Sequence, residues 1–147
     1  HLLKGMPEDK IIDTSINLNV PAYIENDYLP QAELRLEMYK RLAECKTLDE
    51  LEILKDEIVD RFGPFSKTFQ NLIELTKLKI ISMPLMIKRI IGTNKRIECT
   101  FDSESPILAD NKTSNVLVFN PQEDNSILFL QNTFLTIISN LKLDEAS

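Results

Sequence analysis

The stretch "TLDELEILKDEIVDRFGP", residues 47–64, predicts one amphipathic helix with a marked start and a marked end. Thr47 and Glu50 match the S/T-x-x-E capping box, in which both side chains accept hydrogen bonds from unpaired amides of the first turn. Gly63 suits the position just past a helix, and Pro64 prevents the helix from continuing. The helix is therefore expected to begin directly after Thr47 and to end at Gly63.

This helix separates an apolar face from an acidic one when its residues are placed 100° apart. The residues expected to face the core are Leu48, Leu51, Leu54, Ile58, Val59 and Phe62. The opposite face carries Asp49, Glu50, Asp56, Glu57 and Asp60, with Ile53 among them. A run of charges is typical of a solvated face. The alternative is a docking face for an arginine-bearing partner, because neighbouring carboxylates repel one another unless a cation covers them. In that interpretation Glu57 and Asp60 are the main contacts, since they lie too far from the helix start to gain from its dipole. Ile53 and Asp56 are the further candidates.

The remaining elements follow from the same periodicities, with a change from a helical to an alternating pattern after Pro84. The predicted helices are 31–44, 48–62, one from Ser66 to Pro84, and one starting at Asn132 or Thr133. The predicted strands are 16–20, 87–91, 97–101, 116–119 and 127–130. This order predicts an α+β fold, in which three N-terminal helices precede a small antiparallel sheet and a C-terminal helix. Residues 1–15 are interpreted as an extended lead-in, and residues 16–147 as one domain.

Composition limits the function classes. The chain has 147 residues and a net charge of -6, so the domain as a whole is repelled by phosphate backbones. The single histidine, His1, is the first residue of the chain, so catalytic Ser-His or Cys-His pairs and metal sites built from histidines are not expected. Cys45 and Cys99 stand in no C-x-x-C pattern, which favours reduced thiols in a cytoplasmic protein. No apolar run reaches the roughly 18 residues that span a bilayer. A non-enzymatic, cytoplasmic domain without cofactor, metal or membrane contact is expected, and the start at His1 without a methionine indicates a piece of a longer polypeptide.

One basic stretch, residues 77–96, contradicts the acidic character of the whole. Its six cations are Lys77, Lys79, Lys88, Arg89, Lys95 and Arg96, and it contains no acid. A nucleic-acid contact is the alternative function that these residues indicate, although the stretch has no aromatic side chain for stacking on bases. Solvated lysines and arginines whose stems cover apolar surface are the other interpretation.

The segment "AYIENDYLPQAELRLEMYKRLAECKTLDELEILKDEIVDRFGPF", residues 22–65, resembles the start of the C-terminal domain of the bacterial transcription-repair coupling factors. The shared motifs are A-Y-I-x-x-D-Y-L-P at residues 22–30, R-L-x-x-Y-K-R at residues 35–41 and the helix end E-x-x-D-R-F-G at residues 57–63. Several spaced motifs in the family's order make the resemblance specific over residues 16–82.

The resemblance implies a regulatory domain of a larger protein, an ATP-driven DNA translocase that displaces stalled RNA polymerase and recruits excision repair. ATP and magnesium would bind only in motor domains outside this chain, which has no G-x-x-x-x-G-K-[ST] loop. In the family this domain packs against the module of the same polypeptide that binds the damage-recognition protein, and so masks it. In the matching motif of this chain, the resemblance implies that Glu57 and Asp60 make the masking contact. RNA polymerase, the damage-recognition protein and DNA would be indirect partners.

Overall fold

The computed structural model describes residues 12–108, 114–122 and 124–146. Within these ranges the helices are α1 (Ala32–Glu44), α2 (Leu48–Phe62), α3 (Lys67–Ser82) and α4 (Ser126–Ala146). The strands are β1 (Ser15–Asn17), β2 (Ile87–Gly92), β3 (Ile97–Phe101) and β4 (Val116–Phe119). Single 3-10 turns occupy Met83–Leu85 and Pro106–Leu108. The predicted α+β class is confirmed.

The described residues fall into two compact units. The helical unit is Val20–Ile80 and contains α1, α2 and nearly all of α3. The sheet unit consists of the described residues up to Asn19 and from Ile81 onward, with the four strands and α4. A single domain over residues 16–147 stays a prediction. The predicted lead-in lies mostly outside the described residues, and its last residue, Ser15, already belongs to β1.

Local capping sets the ends of the helices in the helical unit. The hydroxyl of Thr47 accepts from the Glu50 amide at 3.1 Å, and the Glu50 carboxylate accepts from the Thr47 amide at 3.2 Å, so both halves of the predicted capping box form. Gly63 ends α2 with a φ of 94°, which a glycine adopts without strain. The Ser66 hydroxyl accepts from the Phe69 amide at 3.3 Å and starts α3. These predicted boundaries are confirmed.

The core of the helical unit is built from the segment before α1 and from all three helices. Its buried members are Ile24, Leu29, Met38, Leu42, Leu51, Leu54, Ile58, Phe69, Ile73 and Ile80. Tyr28 joins this core edge-on to Phe69, with 5.2 Å between ring centres, and its hydroxyl donates to the Gly63 carbonyl at 2.6 Å. The inward orientation predicted for Val59 is wrong, because this side chain lies at the edge of the apolar arc and is 41% exposed.

The sheet has the order β1-β2-β3-β4. β2 and β3 form the predicted hairpin, in which Ile90 opposes Cys99, and β4 pairs antiparallel with β3. Gly92 is required at the turn, because a Cβ atom there would lie 2.2 Å from the Arg96 carbonyl oxygen. The fully buried side of the hairpin consists of Ile87, Ile90, Ile97, Cys99 and Phe101.

β1 pairs parallel with β2, so the sheet is mixed rather than wholly antiparallel. The sequence indicates an edge strand over residues 16–20, and the structure forms it as Ser15–Asn17. Parallel neighbours need a long crossover, and here the connection carries the entire helical unit. The hydroxyl of Thr14 donates to the Ile87 carbonyl at 2.7 Å and secures the start of β1.

The strand predicted at residues 127–130 is wrong, since these residues form the first turns of α4. The helix predicted from Asn132 or Thr133 begins instead at Ser126. Asn125 caps it, because its side-chain oxygen accepts from the Leu128 amide at 3.0 Å. Ile127, Leu130 and Phe134 then recur on one buried face. The physical reason for the error is that a four-residue apolar run fits a buried helical turn as well as a strand.

Candidate functional site

The outward face of α2 has an apolar centre surrounded by acids. Ile53 is 69% exposed, whereas Leu54 and Ile58 on the other side of the helix are 3% and 0% exposed. Residues three and four positions away are the neighbours of a side chain on a helix surface. For Ile53 these four positions are all carboxylates, namely Asp49, Glu50, Asp56 and Glu57. Asp60 continues the same face one turn further.

One of these carboxylates already has a structural role. Besides the Thr47 amide, the Glu50 carboxylate accepts from the Lys46 amide at 2.7 Å. Both amides lie at the start of α2 and would otherwise lack partners. Glu50 is therefore held by the helix start.

Glu57 is engaged by arginines of its own unit. Arg41 from α1 approaches it as a fork, with its Nη1 2.5 Å from Oε2 and its Nη2 2.8 Å from Oε1. Arg61, one turn along α2, adds a third contact from its Nη1 to Oε2 at 3.3 Å. The hydrogen bonds from Arg41 are the main reason why the pKa of Glu57 falls from 4.5 to about 2, and Arg61 lowers it further. The carboxylate therefore stays ionised and paired.

The remaining acids form a line along α2. Asp49, Ile53, Asp56 and Asp60 are spaced by four, three and four residues, which keeps them on one narrow stripe of the helix. We call these four residues the acidic stripe. All four are exposed, and within the described part of the chain neither Asp56 nor Asp60 forms an ion pair. The stripe thus offers three carboxylates and one apolar side chain to an incoming surface.

The predicted contact residues divide into two groups. Ile53, Asp56 and Asp60 lie together on the acidic stripe, whereas Glu57 lies beside it and is bound by Arg41. The residue that the sequence alone does not reveal is Arg41. In the sequence it is the last residue of the R-L-x-x-Y-K-R motif and precedes Leu42, but neither position shows which helix it faces.

The basic residues of the alternative function belong to both units. Lys77 and Lys79 lie on α3 and are half-buried. Lys88, Arg89, Lys95 and Arg96 lie on the β2–β3 hairpin and are exposed. A register shift between Ile87 and Arg89 places Lys88 and Arg89 side by side at the surface. The cationic group is not free of acids, because Arg96 lies 4.0 Å from Glu98.

Among the described residues, no three histidine, cysteine or carboxylate side chains lie close enough together to hold a metal ion. Cys99 is fully buried, and burial raises the pKa of its thiol to about 12. Cys45 is half-buried, its Sγ donates to the Arg41 carbonyl at 3.5 Å, and burial raises its pKa as well. In the part of the chain that the structure describes, no helix combines the length and apolar character needed to cross a membrane.

Comparison with known proteins identifies the family. The family model described as the TRCF domain matches residues 18–112. The chain belongs to the TRCF domain family. The resemblance seen in residues 22–65 is thereby confirmed, and the match extends over the whole helical unit and the β2–β3 hairpin.

Curated relatives of this TRCF domain carry the name transcription-repair-coupling factor. The protein of Haemophilus influenzae is 41% identical over 75 residues, which are 51% of this chain and 6% of that protein. The protein of Escherichia coli K12 is 34% identical over 82 residues, or 56% of this chain and 7% of that protein. The protein of Staphylococcus aureus USA300 is 27% identical over 92 residues, which are 63% of this chain and 8% of that protein. The chain thus spans less than a tenth of the length of these relatives.

A solved structure shares the fold of this TRCF domain. It is the crystal structure of the C-terminal domain of a transcription-repair coupling factor, and it matches with a TM-score of 0.78 at 20% sequence identity. The match covers 93% of this chain and 97% of the other. Similarity at this level shows the shared fold but carries no residue roles by itself.

Proposed function

We propose that this TRCF domain is a non-catalytic docking domain of a transcription-repair coupling factor. Its acidic stripe on α2 covers the module of the same polypeptide that recruits the damage-recognition protein of excision repair. The observation that carries the proposal is the exposed Ile53 within a line of carboxylates that form no ion pair among the residues the structure describes. A side chain of this size at 69% exposure, ringed by acids, is suited to a partner that brings both an apolar surface and arginines.

The chemistry of the stripe suits a contact that must open again. Charged contacts at the rim of an interface contribute mainly to specificity and association rate, and they stay partly hydrated. A mask needs only a few kcal/mol of preference for the closed state, so that a second binding event can release it. Three carboxylates around one isoleucine meet that requirement better than a large apolar face, which would bind the module too tightly to release it.

The other parts of the proposal concern the longer protein. ATP and magnesium are bound by its motor domains, and this chain takes no part in hydrolysis. RNA polymerase, DNA and the damage-recognition protein are reached through those other parts of the polypeptide. The domain works in the cytoplasm, where transcription and excision repair meet.

A binding titration with a charge-reversed stripe tests the proposal. The probe is the separately produced repair-recruitment module of the polypeptide that contains this chain, and the variant is Asp60→Arg. The expected result is a loss of affinity of about tenfold or more, since reversal replaces an attraction by a repulsion at the interface. Glu57→Arg is a poor choice, because it would place a third cation against Arg41 and Arg61 and disturb the helical unit itself.

Glu44→Arg is the matched control. Glu44 is exposed in the last turn of α1, where a cation is favourable for the helix, and its reversal changes the net charge by the same amount. A large loss of affinity for Asp60→Arg, with little change of affinity for Glu44→Arg, supports docking at the acidic stripe. Equal losses for both variants would show that only the overall charge matters, and unchanged binding of Asp60→Arg would refute the docking site.

A nucleic-acid contact through the hairpin is the second candidate function. The observation that favours it is the paired exposure of Lys88 and Arg89, next to Lys95 and Arg96 on the same hairpin. Fluorescence anisotropy with a short DNA duplex at several salt concentrations tests it. Phosphate contacts predict a slope of log affinity against log salt of about -0.9 per contact. The double variant Lys88→Gln with Arg89→Gln should make that slope shallower by about two contacts. Undetectable binding, or binding that salt does not weaken, would exclude this function.

A further inference from the structure

The arrangement around Glu57 leaves little room for an arginine from outside. A carboxylate has about four acceptor sites, two on each oxygen. Oε2 already accepts from Nη1 of both Arg41 and Arg61, and Oε1 accepts from Nη2 of Arg41. A third guanidinium therefore finds only one free site, on Oε1, and cannot form a fork. It gains a two-bond contact only if Arg41 withdraws.

The same arrangement changes the charge next to the acidic stripe. Arg41 and Arg61 together carry two positive charges, and Glu57 carries one negative charge. These three groups together carry one net positive charge at the far end of α2, and Glu37 on α1 also acts on the Arg41 guanidinium. An approaching arginine is attracted by Asp56 and Asp60 but repelled by the pair of guanidinium groups beside them.

The Arg41 contact is able to open at low cost. The side chains of Arg41 and Glu57 are each 35% exposed, so both heads reach water without unfolding of the unit. An ion pair at this exposure is a weak constraint on the fold, because water competes with it. The buried packing of Met38 and Leu42 holds α1 in place independently of Arg41.

We propose that Arg41 regulates docking at the acidic stripe by acting as a built-in competitor for Glu57. This inference rests on the docking function proposed above. With Arg41 in its fork, Glu57 is withheld from the partner and the affinity is set by Asp56, Asp60 and Ile53. When a partner arginine takes both oxygens of Glu57, Arg41 moves into solvent and the acidic face gains a fourth carboxylate. The contact thereby keeps the domain's affinity below the maximum that its acids allow, which favours release.

A double-mutant cycle tests the competition directly. The four chains are the natural one, Arg41→Gln, Glu57→Gln and the double variant, each titrated with the repair-recruitment module. Arg41→Gln is expected to bind about two- to fivefold more tightly, the range that a partly exposed ion pair provides. This gain in affinity should disappear in the Glu57→Gln background, because Arg41 then has no carboxylate at position 57 for which to compete.

Lys40→Gln is the matched control for charge. Lys40 precedes Arg41 on α1, is exposed, and forms no ion pair within the described residues. Its removal should change affinity by less than about twofold at physiological salt, since screening weakens isolated surface charges. A gain equal to that of Arg41→Gln would show a general charge effect and overturn the competition. Arg41→Lys keeps the charge but lacks the planar fork, and a gain in this variant as well would assign the effect to the fork.

The outcomes separate the inference from the function on which it rests. If Asp60→Arg abolishes binding while Arg41→Gln binds as the natural chain or more weakly, the docking function stands and the competitor is refuted. If the natural chain does not bind the module at all, the docking function is refuted, and the inference falls with it. Circular dichroism at 222 nm before each titration confirms that the helices of each variant are intact.

Discussion

Two isoleucines on α2 provide a stringent test of which face of this helix is buried. Ile58 is completely buried in the core of the helical unit, and Ile53 is 69% exposed. Replacement of Ile58 by alanine removes three carbon atoms, which at about 0.8 kcal/mol each lowers the free energy of unfolding by about 2.4 kcal/mol. The cavity left between the helices raises the expected loss to about 3 to 4 kcal/mol.

The same replacement at Ile53 should have almost no effect on stability. About a third of its side chain is covered, so the lost transfer free energy is about 0.7 kcal/mol, and the better helix propensity of alanine offsets about half of it. The natural chain, Ile58→Ala and Ile53→Ala are to be unfolded in urea and followed by circular dichroism at 222 nm. The comparison uses midpoints at a common slope.

The contrast between the two variants is the decisive quantity. A loss of more than about 1.5 kcal/mol for Ile53→Ala would show that this residue belongs to the core and would remove the apolar centre of the acidic stripe. A loss below about 1 kcal/mol for Ile58→Ala would contradict the packing of α2 in the helical unit. In the docking titration the order should reverse, with Ile53→Ala the variant that weakens binding.

Three further outcomes follow from the geometry. Thr47→Ala removes one half of the capping box and should lower the free energy of unfolding by about 1 kcal/mol, measured from the urea midpoint; an unchanged midpoint would show that the box adds nothing. Glu57 has a pKa of about 2 in the folded chain against 4.5 ordinarily, so its pairing stabilises the fold above about pH 4.5, and this stabilisation is lost as the pH falls towards 2. The natural chain should therefore exceed Glu57→Gln in urea midpoint at pH 7 and lose that advantage at acid pH, and a difference that persists at pH 2 would assign it to another cause. Iodoacetamide at pH 8, followed by mass spectrometry of the folded chain, should label the half-buried Cys45 before the fully buried Cys99, whose pKa is about 12; the reverse order would contradict the burial of β3.

The elements that the sequence predicts correctly are those whose signals are local. Thr47, Glu50 and Gly63 act within a few residues of the helix ends that they define, so their types and spacing are sufficient. The β2–β3 hairpin is equally local, because its two strands are joined by a short turn after Gly92. Such features require no knowledge of the rest of the fold.

The errors and omissions concern contacts between distant parts of the chain. The run at residues 127–130 is apolar in either a strand or a buried helical turn, and only its packing decides between them. The parallel partner of β1 lies more than seventy residues away, beyond any turn pattern. The fork from Arg41 to Glu57 joins two helices whose adjacency no periodicity reveals. Within the site, the exposure of Ile53 was accessible from the sequence, whereas the engagement of Glu57 was not.

The parallel pairing of β1 has a consequence for the order of folding. Thr14 reaches Ile87 across 73 residues, and closing a flexible loop of that length costs roughly 3.8 kcal/mol of chain entropy at 25 °C. Three paired residues return little of this, so β1 should add to the sheet only after the helical unit has folded and shortened the flexible loop. Native-state hydrogen exchange would show this as amides of β1 that exchange through a local opening, well before those of β3. Exchange of both strands at the same rate would mean that β1 folds with the sheet. β1 is therefore expected to be the last strand to pair with the sheet and the first to separate from it, which makes it the strand with the lowest local stability.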